Sequence, residues 1–179
     1  MLGHSHSAGR RRPLRACAPP SVLALLGAVL LVVLPAGQAD AANRSRISAL
    51  ADVSFGAITT FGADLVRSQS ICVYSKSPPL DQYRVTASGS GAGGAFELSS
   101  GTDILPYEVE WSAVAGQSTG MSLLANQPLT GQQSTAGADD CSKGPATTAS
   151  LVVILRSAAL TLATSGNYTG TLTLLVAPE

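Results

Sequence analysis

From Tyr168 to Val176 the residues alternate strictly, and the sequence closes soon afterwards at Glu179. Tyr168, Gly170, Leu172, Leu174 and Val176 fall on one face of an extended strand. Thr169, Thr171 and Thr173 fall on the other, because successive side chains point to opposite sides. A half-buried strand in that place must find its sheet partners earlier in the chain or in another protein. The pattern restricts the chain to all-β folds that close on their last strand or are completed by a second chain. Exported subunits that exchange strands are built this way, and enzymes of this size seldom are.

The N-terminal segment reads as a targeting signal. Arg10, Arg11, Arg12 and Arg15 form a positive region, and Ser21 to Leu34 is an uncharged apolar stretch. Pro35-Ala36-Gly37 breaks that stretch, and Ala39-Asp40-Ala41 sets small residues at a cleavage site. The apolar run is shorter than the roughly 20 residues that span a bilayer, so a secretory signal peptide over 1–41 is expected rather than a membrane anchor. Pro13-Leu14-Arg15 continues the arginines poorly for a twin-arginine signal, and Cys17 precedes the apolar run, so it is no lipobox cysteine.

Cleavage after Ala41 leaves a single domain over 42–179, long enough for a real core. Both histidines, His4 and His6, leave with the signal. The remainder carries seven Lys/Arg against ten Asp/Glu. A weakly acidic chain without basic clusters argues against nucleic acid and anionic membrane surfaces as partners. Two cysteines stay, Cys72 and Cys141, and in an oxidising compartment they are expected to pair. Zinc needs three or four ligands, and no histidine is left to join the thiolates, so no metal or other cofactor is expected.

Short apolar alternations recur between Gly, Ser, Thr, Asn and Pro punctuation, without a helical period. Strands are expected over Ile47–Phe55, over Ile71–Tyr74 ending at Ser77-Pro78-Pro79, and on the Tyr83, Val85, Ala87 face. Others fall at Phe96–Leu98, on Tyr107, Val109 and Trp111, and at Met121–Leu124. Gln127–Pro145 is polar and reads as a long surface loop around Cys141. Leu151–Leu155 is continuously apolar, with Val152, Val153 and Ile154 favouring a strand buried on both faces over a helix. Leu160 and Leu162 lead on to the final strand through a Ser165-Gly166-Asn167 turn. Short strands with frequent turns describe a β-sandwich.

Several short motifs follow in order along the chain: Ala51-Asp52-Val53-Ser54-Phe55-Gly56, a strand ending in Cys72, Tyr83-Arg84-Val85-Thr86, Leu105-Pro106-Tyr107-Glu108-Val109, and the terminal Gly166-Asn167-Tyr168-Thr169-Gly170-Thr171-Leu172-Thr173. Their order resembles the spore coat protein U domain. That domain belongs to secreted pilin subunits of the archaic chaperone–usher type. The resemblance implies an immunoglobulin-like sandwich lacking its final strand. A periplasmic chaperone fills the gap first, and a neighbouring pilin subunit delivered through an outer-membrane usher replaces it. It also implies a chain that crosses the periplasm and ends on the cell surface or in a fimbrium, meeting the membrane only during export. Tyr168, Leu172, Leu174 and Val176 are then the expected contacts of the chaperone or donor strand. Two features depart from the family. Asn43-Arg44-Ser45-Arg46 is a poor apolar plug ahead of the first strand, and no cysteine stands upstream of Phe55-Gly56. Both fit a tip or terminal subunit that accepts a strand without donating one, or a divergent cell-surface protein that never polymerises. The alternative is a stand-alone secreted binding module for a glycan or protein.

Catalysis finds little support. A Ser-His-Asp or Cys-His arrangement is impossible without histidine. Glu108 and Glu110 share a strand face and read as a solvated edge rather than a glycosidase pair. Asp139-Asp140 lacks the ligand spacing of a calcium loop, and the Gly89–Gly94 stretch lacks the Lys-Ser/Thr of a phosphate loop. Tyr107 and Trp111 flank Val109 at strand spacing and read as core rather than as a sugar platform. Asn167-Tyr168-Thr169 is a glycosylation sequon that matters only in a eukaryotic host. N-terminal sequencing of exported protein should start at Ala42 or within a few residues of it. Protein that keeps Arg10–Arg15 and fractionates with inner membranes would make the apolar run an anchor.

Overall fold

A computed structural model describes residues 43–179, so the expected signal peptide, 1–41, lies outside the described residues. The chain builds an all-β sandwich, with strands β1 (Arg44–Ser48), β2 (Leu65–Lys76), β3 (Gln82–Gly89), β4 (Glu97–Ser100) and β5 (Asp103–Pro106). These are followed by β6 (Glu108–Ser112), β7 (Met121–Ser122), β8 (Pro128–Gln133), β9 (Ala149–Leu155) and β10 (Leu172–Pro178). One sheet has the order β1-β2-β9-β6-β7 and the second β10-β3-β8, with antiparallel pairing throughout, while β4 and β5 form a small hairpin.

Alternation sets the core. Tyr83, Val85 and Ala87 of β3 and Val109 and Trp111 of β6 point inward and are buried. β9 lies between β2 and β6 and is buried along its whole length, its one polar side chain, Ser150, donating to Val114 O and accepting from Gln117 N. The indole Nε1 of Trp111 donates to Tyr83 Oη across the sheets at 3.2 Å, with the rings edge to face at 6.3 Å between centroids. Burial pushes the Tyr83 phenol up to about 12, so it stays neutral and keeps its hydrogen bond at any physiological pH.

Four expectations need correction. The first strand is Arg44–Ser48 rather than Ile47–Phe55. Arg44 and Arg46 are accommodated because they point outward on an edge strand, Arg44 with its guanidinium 5.5 Å from the Tyr74 ring centre. The expected Gln127–Pro145 loop contains β8, an edge strand that tolerates proline at its first residue. Beyond β9 the chain forms one helical turn, α1 (Ser157–Leu160), which buries Leu160 and leaves Leu162 exposed. Glu108 and Glu110 are no free edge, since β6 lies between β9 and β7. Glu108 pairs with Arg156, and Glu110 accepts the Gly120 N–H at 2.8 Å.

Cys72 and Cys141 form a disulfide with a sequence separation of 69, tying β2 to the loop after β8. Closing a loop of that length removes about 4 kcal/mol of chain entropy from the unfolded state. Replacing both cysteines by serine should lower the unfolding free energy by roughly that amount. A denaturant midpoint unchanged between the two forms would show that the crosslink contributes nothing.

Candidate functional site: a groove between the sheets

The two sheets close on each other at Trp111 and Tyr83 and stand apart further along. There an open groove of ≈ 1300 Å³ runs between them. Its floor is apolar, made by Leu151, Val153 and Leu155 of β9, Leu105 and Tyr107 beside β6, and Leu160 of α1. Tyr107 stacks on Phe96 at 5.7 Å, and burial raises its phenol pKa.

One wall is β10. It pairs with β3 on one edge only, so its other edge carries backbone donors and acceptors without a strand partner among the described residues. Along that edge Ser45 Oγ of β1 donates to Val176 O at 2.8 Å. Leu172 and Leu174 line the groove, as does Tyr168 just ahead of the strand. Val176 packs on the same core but lies beyond the groove lining, beside β1. Leu175, on the opposite face, is exposed. β10 starts later than the sequence alternation, because Thr169 is held to Ser99 by reciprocal backbone bonds of 2.8 and 3.0 Å. Gly170 permits that approach: a Cβ there would meet Glu97 O at 2.7 Å.

The other wall is the segment from Leu50 to Phe61. β1 stops at Ser48, and Ala49 takes a left-handed φ of 61° that turns the chain off the sheet edge. Side chains hold the segment in place. Gln69 Oε1 accepts from Ala51 N at 2.9 Å and its Nε2 donates to Ala51 O at 3.0 Å. Arg67 Nε donates to Ser54 O at 3.3 Å, and its guanidinium sits 5.6 Å from the Phe55 ring centre. Phe55 and Ile58 pack on the core, while Leu50, Val53 and Phe61 remain exposed.

The segment rejoins the sheet at an ionic clip. Arg156 Nη1 meets Asp64 Oδ2 at 2.8 Å, its Nη2 meets Glu108, and Ser157 N donates to Asp64 Oδ1 at 2.8 Å. The Ser157 N–H, then Arg156, hold the Asp64 carboxyl below its ordinary range. Arg156 does the same for Glu108, and the two carboxylates raise the guanidinium in turn. A carboxylate with a lowered folded pKa contributes stability that is complete above its ordinary range and lost as pH falls through the lowered value. Denaturant midpoints should therefore fall between neutrality and about pH 3 more steeply in the native protein than in Arg156→Gln. The groups are exposed, so the difference should be small, and parallel profiles would show that the clip is electrostatically idle.

Of the expected site residues, the groove gathers Tyr168, Leu172 and Leu174, and Cys72 and Cys141 meet in the disulfide. Sequence reasoning missed Gln69 and Arg67. Their signal was present: in the inward series Leu65, Arg67, Gln69, Ile71, Val73 two polar residues stand where a closed core requires apolar ones.

No family model matches the chain, and no curated protein matches it. A solved structure of a chaperone–tip adhesin complex from CFA/I fimbriae biogenesis overlays it with a TM-score of 0.48 and 14% sequence identity. The overlay takes in 76% of this chain and 42% of the matched one, so the chain spans less than half the length of that protein. Function therefore has to be read from the groove.

Proposed function

We propose that this chain is a non-catalytic structural subunit of a chaperone–usher-type pilus or surface coat that accepts a strand from another protein. The observation that carries the reading is the pairing of an apolar groove with an open sheet edge along the same wall, β10. A strand laid beside β10 would satisfy its free backbone groups and set alternate side chains onto Leu151, Val153, Leu155, Leu172 and Leu174. An edge of this kind left open invites non-specific pairing, which is the physical reason for a dedicated partner.

In this reading a periplasmic chaperone occupies the groove first, an outer-membrane usher receives the complex, and a neighbouring pilin subunit supplies the lasting strand. Tyr168, Leu172 and Leu174 are the contacts, with Val176 marking the covered end beside β1. Residues 1–41 direct export, and the mature domain passes through the periplasm to the cell surface. The disulfide suits that oxidising route. With Arg44 and Arg46 spent in β1, the residues ahead of the sandwich offer no apolar plug. That favours a tip or terminal subunit.

Co-expression with the cognate periplasmic chaperone should give a soluble one-to-one complex in size-exclusion chromatography. Leu174→Asp should abolish it, because an unpaired charge in the apolar groove costs several kcal/mol. Leu175→Asp, on the exposed face of the same strand, should leave it intact. Equal complex formation by both variants, or none with wild-type protein, would leave the stand-alone binding module as the better reading.

A further inference from the structure

Strand β1 and strand β2 pair with Ser48 opposite Cys72 and each earlier residue one step further along. Continuing that register past Ser48 sets Ala51 opposite Gln69 and Val53 opposite Arg67. Those are the two residues whose side chains hold the segment: the Gln69 amide grips both backbone groups of Ala51, and Arg67 reaches Ser54 O. The segment thus stays in register with β2 but stands one side chain away from it. Gln69 and Arg67 belong to the inward series of β2, so the displacement carries the segment over the groove.

The edge that it leaves has no backbone partner, and only Val66 O is engaged there, accepting from Arg67 Nη1 at 3.1 Å. Thr148 N donates to Ile71 O, and Val73 exchanges bonds with Thr148 Oγ1, so the backbone groups of Ile71 and Val73 point toward β9. By alternation those of Val66, Ser68 and Ser70 point toward the segment. No backbone–backbone hydrogen bond joins residues 49–63 to any other described residue. What separates the displaced segment from a continued ladder is the left-handed turn at Ala49, a conformation disfavoured for any residue with a Cβ.

We propose that residues 50–58 are a peeled strand acting as a strap with two positions. In one, shown here, it narrows the groove. In the other, Ala49 becomes extended, the segment zips onto β2 with Leu50, Asp52 and Ser54 bonded to Ser70, Ser68 and Val66, and the groove opens beside β10. An incoming strand selects the zipped position, so the free subunit carries its own competitor. Opening of the groove for a strand rests on the strand-accepting reading above; the two positions of the segment do not.

Two measurements separate these claims. Amide hydrogen exchange should show Leu50, Asp52 and Ser54 weakly protected in wild-type protein. They should gain protection in Ala49→Val, whose β-branched side chain disfavours the left-handed turn, and stay unprotected in Ala49→Gly, which removes its cost. Capture of a fluorescent peptide of about ten alternating valine and threonine residues, enough to run the length of β10, should be about tenfold faster in Ala49→Val and slower in Ala49→Gly. Gln69→Ala, which loses the clip on Ala51 without touching the hinge, should also speed capture. Identical exchange in the Ala49 variants, or slower capture by both Ala49→Val and Gln69→Ala, would overturn the strap. Exchange that shifts as expected while no variant captures peptide would uphold the strap and overturn strand acceptance.

Discussion

The architecture depends on where the two sheets touch. Trp111 and Tyr83 meet edge to face with a hydrogen bond between them, both fully buried, and this contact sets the sheet separation at one side of the sandwich. A large aromatic pair packed this way commits the neighbouring strands β3 and β6 to a fixed spacing. Away from it, β9 and β10 line the groove with aliphatic side chains, and one edge of β10 has no strand partner among the described residues. The same sandwich is therefore closed on one side and open on the other, with no change of fold.

An opening of this kind has two costs: apolar surface in contact with water and backbone groups without partners. The chain reduces both by local means. Gln69 and Arg67, two polar residues on the inward face of β2, draw the 50–58 segment over the floor while leaving its backbone outside any ladder. Such an attachment is weak by design of its chemistry. Side-chain bonds at a solvent boundary contribute little net free energy, so the cover can be exchanged for a better one.

How much of this the sequence made legible depends on which force acts at each position. Where burial decides, alternation was sufficient: the Tyr83–Ala87 face, the Tyr107–Trp111 face and the continuous β9 run all stand where their patterns place them. β8 escaped because an edge strand such as Pro-Leu-Thr-Gly-Gln-Gln is held by backbone pairing, which leaves almost no mark on side-chain type. The Ile47–Phe55 run misled for the opposite reason. Its alternation is real, but the turn at Ala49 and the polar inward residues of β2 take it off the sheet, and neither is visible in the run itself. In the groove, Leu172 and Leu174 could be found from period alone, whereas the facing wall depends on a contact between residues far apart in the chain.

The disulfide has a mechanical meaning. It closes a covalent ring from Cys72 to Cys141 that encloses β3 through β8, including the Trp111–Tyr83 contact. The strap, most of β2, β9 and β10 all lie outside the ring. A domain pulled from its two ends could never release the ring's contour, about 240 Å at roughly 3.5 Å per residue. Its extensible portion is the strap with β1, most of β2, β9, α1 and β10, which together supply most of the groove lining. Tension would therefore be felt first by the elements that meet a partner, while the aromatic centre stays enclosed by a bond that no load on the backbone reaches until those walls have given way.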